Sequence, residues 1–225
     1  MQLAIRADGG PSIGFGHLIR SGALAKTALE SSDRVVFLTQ TPGEARSVCP
    51  AGIDIVEVPE EKEIENVTEW IRSNDPDVVL TDTYEADTQY QTKIRSVAQT
   101  SVILLDDTRY TICADYLVNG NVYAPELSYD WRGSEPTWCL GTDYLLIRDA
   151  IQQVAADPPP FREQPRRAVV TMGGSDIRDS TPDVCRAFDG LDVLVDVIIG
   201  PGFDNHDRIS RAVESTEAMF NVLET

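Results

Sequence analysis

Ile13-Gly14-Phe15-Gly16-His17-Leu18-Ile19-Arg20 is the stretch on which the reading of this chain turns. It follows an apolar run, Leu3-Ala4-Ile5, and precedes an amphipathic segment from Leu18 to about Glu30. That order spells strand, glycine loop and helix, with His17 on the first helical turn. Glycines let the backbone approach a ligand closely, and a helix N-terminus favours negative charge. The positive end of the helix dipole also favours a neutral imidazole, the form that accepts a proton. The octapeptide therefore predicts an anion site and a general base together.

The loop is not the dinucleotide fingerprint, because Ile19 stands where the third glycine would be, and Asp8 to Ile13 lengthen the connection. An ordinary strand-to-helix turn needs one or two glycines, whereas Gly9, Gly10, Gly14 and Gly16 fall within eight residues. His17 would also be a weak N-cap. Arg20 projects one turn after His17 from the same face, with either an anion or Asp8 as its partner.

Outward from this loop, short apolar runs alternate with helix-period segments. Strands are expected at Leu3 to Ala7, Val35 to Thr39, Ile53 to Val58, Val78 to Thr81 and Val102 to Leu105. Helices are expected at Leu18 to Glu30, Pro42 to Val48, Glu61 to Ser73 and Thr88 to Gln99. In the third helix Ile64, Val67, Trp70 and Ile71 share a face. Shorter strands follow at Tyr116 to Val118, Thr137 to Leu140 and Tyr144 to Ile147. The alternation predicts an α/β protein built of βαβ units around a mostly parallel sheet.

Residues 1–155 form the first predicted domain. The proline-rich stretch from Asp157 to Pro165 cannot continue a helix or an internal strand, so 156–166 reads as a linker. The pattern restarts over 167–225: strand Ala168 to Thr171, loop Met172-Gly173-Gly174-Ser175-Asp176, helix Thr181 to Phe188, strand Val193 to Ile199 and helix Asp207 to Val213. The last residues, to Thr225, stop as another strand begins, which reads as an incomplete second unit. The loop at Gly173-Gly174 lies at a strand end, where open α/β sheets bind ligands. Two such loops predict facing walls of a cleft.

The net charge is −18, with 37 acidic against 19 basic side chains, and the only lysines are Lys26, Lys62 and Lys93. Such a surface repels phosphate backbones, which excludes nonspecific nucleic-acid binding. Acid excess with lysine scarcity also suggests adaptation to a salty cytoplasm. No run approaches the roughly 20 apolar residues of a membrane span, and charge follows Met1 too soon for a signal peptide. A cytoplasmic location is expected, with the oligomeric state left open. Cys49, Cys113, Cys139 and Cys185 are scattered and the two histidines are far apart, so no metal site or disulfide framework is expected.

Asp82-Thr83-Tyr84 and Asp106-Asp107 follow the fourth and fifth strands. Acids there either orient a sugar hydroxyl or a cation, or simply cap the next segment. Asn119-Gly120-Asn121 reads as a turn.

In this order, Arg6 to Asp8, Gly14-Phe15-Gly16-His17-x-x-Arg20, Asp82-x-Tyr84, Asp106-Asp107, Cys113-x-Asp115, Asn119-x-Asn121, Gly141-x-x-Tyr144, Arg148 and Gly173-Gly174-Ser175-Asp176 resemble a known family. It comprises the UDP-2,4-diacetamido-2,4,6-trideoxy-β-L-altropyranose hydrolases of pseudaminic acid synthesis and related spore-coat polysaccharide biosynthesis proteins. The resemblance spans nearly the whole chain. It implies two Rossmann-like units of the GT-B glycosyltransferase type with UDP bound between them, and no metal or other cofactor. It makes His17 the base on a water that attacks the anomeric carbon. Asp8, Gly14, Gly16, Arg20 and Tyr84 would then face the sugar, and Met172, Gly173, Gly174 and Ser175 the nucleotide diphosphate. The family continues into a further glycine loop and an acidic residue for ribose and uracil, which this chain does not reach. Three functions therefore follow as expectations: a UDP-sugar hydrolase, a sugar transferase of the same fold, or a non-catalytic nucleotide-sugar binding remnant.

Overall fold

A computed structural model describes residues 1–31, 33–158 and 160–224; Ser32, Pro159 of the predicted linker and Thr225 lie outside the described residues. By its contacts the chain divides into two compact units. One comprises Met1–Asp8 with Gly16–Val154, the other Gly9–Phe15 with Ala155–Thr225.

In the first unit, β1 (Gln2–Ala7), α1 (Gly16–Glu30), β2 (Arg34–Thr39), α2 (Pro42–Val48) and β3 (Asp54–Glu57) come first. They are followed by α3 (Glu63–Asn74), β4 (Val78–Asp82), α4 (Thr88–Arg95), β5 (Ser101–Leu104), β6 (Tyr116–Asn119) and β7 (Thr137–Leu140). The seven strands make one parallel sheet in the order β3-β2-β1-β4-β5-β6-β7. Parallel strands covered on both faces are apolar throughout, which is why their runs read as continuous rather than alternating. One face packs Leu3, Ile5, Ala7, Leu80 and Leu104 beneath α1 and α2. The other packs Ala4, Val36, Leu38, Val79, Ile103 and Leu117 beneath α3 and α4.

The strand order reverses between β1 and β4. In open α/β sheets that reversal opens a crevice at the carboxyl ends of the strands, because the connections leave in opposite directions. The register pairs Ala7 of β1 with Asp82 of β4 at this crevice. Arg6 points to the opposite face and is only 1% exposed. Its guanidinium bonds Glu63 of α3 at 2.6 Å and Asp8 at 2.6 Å, and it donates to the Leu38 carbonyl at 3.4 Å. A buried arginine is tolerated here because two carboxylates and a carbonyl replace its water.

Three expectations need correction. The segment from Tyr144 to Ile147 is not a strand: a 3-10 turn at Thr142–Tyr144 carries it across the end of β6, where Leu146 joins the apolar face. Gly120 makes this crossing possible, since a Cβ there would lie 2.7 Å from the Leu145 Cα. Helix α4 stops at Arg95, not Gln99, because Ser96 bonds back to the Lys93 carbonyl and the chain tightens, with Val97 and Ala98 both donating to Ile94. The unexpected helix α5 (Asp149–Ala156) buries none of its residues.

In the second unit, β8 (Arg167–Thr171), β9 (Leu194–Ile199) and β10 (Met219–Glu224) form a parallel sheet in the order β10-β9-β8. Helices α6 (Thr181–Arg186) and α7 (His206–Glu214) cover it through Val170, Cys185, Val195, Val197, Phe203 and Ile209. No described helix is long and apolar enough to cross a membrane.

Gly120→Ala forces the new methyl against backbone rather than a yielding side chain. It is expected to cost about 1–3 kcal/mol and to lower the thermal midpoint by several degrees, measured by circular dichroism.

Candidate active site

The site of the first unit grows from the junction of β1, β4 and α1. Leu80 and Asp82 alternate with Thr81, so both face the side of the sheet that α1 covers. Helix α1 buries His17, Leu18, Ser21, Gly22, Ala25 and Ala28, a narrow stripe of mostly small residues that lets it lie close to the strands. Ser21 lies about one turn after His17 on that stripe, Arg20 stands at its edge, and all three meet the Asp82 carboxylate.

Asp82 is 0% exposed. His17 Nδ1 lies 2.6 Å from its Oδ1, Arg20 Nε donates to Oδ2 at 2.8 Å, and Ser21 Oγ donates to Oδ2 at 3.0 Å. Arg20 Nη2 donates to Oδ1 as well. Burial alone would push the Asp82 carboxyl up, yet the hydrogen bonds and charge of Arg20, with His17 beside it, hold it below the ordinary carboxylate range. An ionised carboxylate only accepts, so the ring nitrogen facing Asp82, Nδ1, carries a proton, and in the neutral tautomer this contact selects, the other nitrogen is the acceptor. That leaves the lone pair on Nε2, which is buried and has no hydrogen-bond partner. Tyr84, just past β4, meets the imidazole edge-on with ring centroids 4.4 Å apart, and is itself 55% exposed.

Arg20 reaches on to the loop after β5, where Nη1 donates to both oxygens of Asp106 at 2.9 Å. Of the two partners expected for it, Asp8 is not the one, because Asp8 is occupied by Arg6, by Thr39 Oγ1 at 2.9 Å and by the Gln40 amide at 2.7 Å. His17, Arg20, Thr83, Tyr84, Asp106 and Asp107 line one small cleft together with Leu104, Leu105, Arg109 and Tyr110. Asp107 pairs with Arg109 within its own loop. Asn119 and Asn121 do more than turn the chain: Asn121 Nδ2 donates to Asp106 at 3.2 Å and to Asn119 Oδ1 at 2.9 Å, while Asn119 holds the Tyr129 hydroxyl. Cys113 is buried, its amide donating to Gln91. Asp115 fastens the start of β5 through Ser101.

The glycine loop closes on itself. Gly10 and Gly14 exchange backbone hydrogen bonds of 3.0 and 2.7 Å, and Gly14 takes φ +82°, a left-handed value that suits glycine. Gly16 opens α1 with open space around its Cβ position. Within the second unit, which includes Phe15, Met172 packs beside the core and Gly173 has φ +80°. A Cβ on Gly174 would lie 2.7 Å from the Phe15 ring, and one on Gly200 would lie 2.5 Å from the Gly173 carbonyl oxygen. Ser175 is buried with its hydroxyl unpartnered. Asp176 instead serves structure, accepting from the Ser180 and Thr181 amides at 2.8 Å and from Asn205 at 3.0 Å. Among the described residues no cluster of three or more His, Cys, Asp or Glu gathers to hold a metal ion.

No protein-family model matches the chain. It is 24% identical to the spore coat polysaccharide biosynthesis protein SpsG of Bacillus subtilis, over 95% of this chain and 64% of that protein. It is 28% identical to the UDP-2,4-diacetamido-2,4,6-trideoxy-beta-L-altropyranose hydrolase of Campylobacter jejuni, over 80% of this chain and 62% of that protein. The resemblance read from the motifs is borne out, and the chain spans a little under two thirds of the length of these relatives. Among solved structures, MurG of Acinetobacter baumannii aligns with 100% of this chain and 67% of its own at a TM-score of 0.60 and 12% identity. The calicheamicin glycosyltransferase CalG4 aligns with 98% of this chain and 70% of its own at a TM-score of 0.54 and 11% identity. At those identities the likeness is one of fold, and the fold is of the GT-B type.

Asp82 has a depressed folded-state pKa, so its stabilisation is present above the unfolded carboxylate value of about 3.9 and is lost as pH falls through the folded value. Asp82→Asn is expected to cost about 1–3 kcal/mol at neutral pH. The gap between wild type and variant should begin to close below about pH 4 and vanish only below the folded-state value of Asp82, as denaturant melts at several pH values would record.

Proposed function

We propose that the protein containing this chain processes a nucleotide-linked sugar in polysaccharide biosynthesis, and that it does so by hydrolysis with His17 as general base. The observation that carries the reading is the His17 ring: Nδ1 is committed to Asp82 while Nε2 is buried and unpartnered at the crevice where the strand order reverses. A base needs that lone pair, free and aimed where a water can sit. The water oxygen bonds to the anomeric carbon as its proton passes to Nε2. The bond from that carbon to the β-phosphate oxygen breaks, and its electron pair leaves with UDP.

Gly14, Gly16 and Tyr84 are assigned to the sugar, with Asp8 anchoring the start of the glycine loop. Met172, Gly173, Gly174 and Ser175 are assigned to the diphosphate, whose negative charge exposed backbone N–H groups favour. The name of the Campylobacter relative supports a sugar nucleotide of the UDP-diacetamido-trideoxy class, and that of the Bacillus relative supports polysaccharide biosynthesis. The glycosyltransferase fold supports a second reading, transfer of the sugar to an acceptor other than water. Product analysis with and without candidate acceptor hydroxyls separates the two.

His17→Asn keeps a polar side chain beside Asp82 but has no proton-accepting nitrogen. It is expected to lower UDP release from the amino-sugar nucleotide by about 10²–10⁴-fold with an unchanged circular dichroism spectrum. Undiminished turnover in the folded variant would rule His17 out as the base.

A further inference from the structure

Arg20 was open to either an anion or a carboxylate, and its nitrogens are all engaged. Nε and Nη2 hold Asp82, and Nη1 spans both oxygens of Asp106. Nη2 also lies 3.2 Å from His17 Nδ1, but both atoms carry hydrogen there, and the 2.6 Å contact to the carboxylate decides the Nδ1 proton. The side chain of Asp106 is 38% exposed, so the outer end of the guanidinium reaches the wall of the cleft while the inner end is buried against the base. Behind Asp106, Asn121, Asn119 and Tyr129 continue the hydrogen-bonded chain into β6.

We propose that Arg20 is a positioning residue for His17 rather than a ligand of the substrate: it holds the Asp82 carboxylate, ionised, against Nδ1 and so keeps Nε2 bare. Without a cation, a fully buried carboxylate takes up a proton or draws one onto its neighbour. If Asp82 itself is protonated, its O–H donates to Nδ1 and the ring proton moves to Nε2. If the proton goes to the ring, an imidazolium pairs with Asp82. Either way the lone pair at Nε2 is lost.

The charged and titratable groups around the imidazole are Arg20 on α1, Asp82 and Tyr84 at the end of β4, and Asp106, Asp107, Arg109 and Tyr110 on the loop after β5. Asp107 and Arg109 neutralise one another. Asp106 lies beyond Arg20, which leaves Arg20 as the cation that balances Asp82 at the ring.

The consequence for rate rests on the hydrolase reading; the state of the ring does not. His17 and His206 are the only histidines, so the ring nitrogens of ¹⁵N-labelled protein resolve into two sets, with His206 as the internal reference. At about pH 8.5, where an unperturbed imidazole is neutral, wild-type His17 should show a protonated Nδ1 and a bare Nε2. Arg20→Met should put a proton on Nε2, and Arg20→Lys should partly restore the bare nitrogen. In turnover, kcat for UDP release should fall about 10- to 100-fold in Arg20→Met with KM nearly unchanged. A rise in KM at constant kcat, or a bare Nε2 in Arg20→Met, would overturn the proposal. If wild type releases no UDP, the hydrolase reading fails while the nitrogen shifts still decide the role of Arg20. Should Arg20→Met not fold, Arg20→Gln keeps an amide beside Asp82 but not the charge. It is expected to put a proton on Nε2, and a bare Nε2 there counts against the clamp.

Discussion

The first unit depends on one arrangement: a carboxylate with no access to water, Asp82, held at the end of a central strand by three side chains of a single helix. Burying an ion costs several kcal/mol unless its partners replace its hydration. Here Arg20, His17 and Ser21 do so, and all three come from α1. The helix is therefore fixed in rotation and height against β4, and with it the imidazole. Packing of small residues along the rest of α1 keeps the helix close enough for these contacts to form.

A second buried ion system sits on the opposite face of the same sheet. Arg6, Asp8, Glu63 and Tyr90 link β1 to α3 and α4, with the Tyr90 hydroxyl donating to Glu63 at 2.7 Å. The second system ties the end of β1 to α3 and α4, while the first ties α1 to β4. Asp8 serves the second system and Asp82 the first. Two acids at neighbouring strand ends thus do different work, because side chains alternate across a strand.

Much of this was legible before any coordinates. Parallel strands and their helices announced themselves as apolar runs and helix-period segments, and the glycine loop with His17 singled out the crevice. What stayed hidden is informative. Asp82 was visible as an acid at a strand end, but its pairing with His17 spans 65 positions. That pairing exists only because β4 lies beside β1 and not beside β3, an order that hydrophobic pattern does not encode. Arg6 stood among the motif residues, but its role did not show, since its partners come from α3 and from beyond its own strand. Asn119 and Asn121 read as a turn because a turn is all their local sequence requires; their bonds to Asp106 and Tyr129 are tertiary.

The concealment of the two arginines has a bearing on how the molecule responds to its solution. Ion pairs on the surface, such as Lys93 with Glu65 and Arg34 with Asp54, stand in water and weaken as dissolved ions crowd around them, over a screening length of about 10 Å at 0.1 M. Mutual repulsion among the acids that make up the −18 charge weakens in the same way. Arg6 and the inner end of Arg20 are walled off from those ions. Ionic strength therefore tunes the outer surface while leaving the geometry around His17 almost untouched, so the machinery of the crevice is insulated from the medium in which the rest of the protein is solvated.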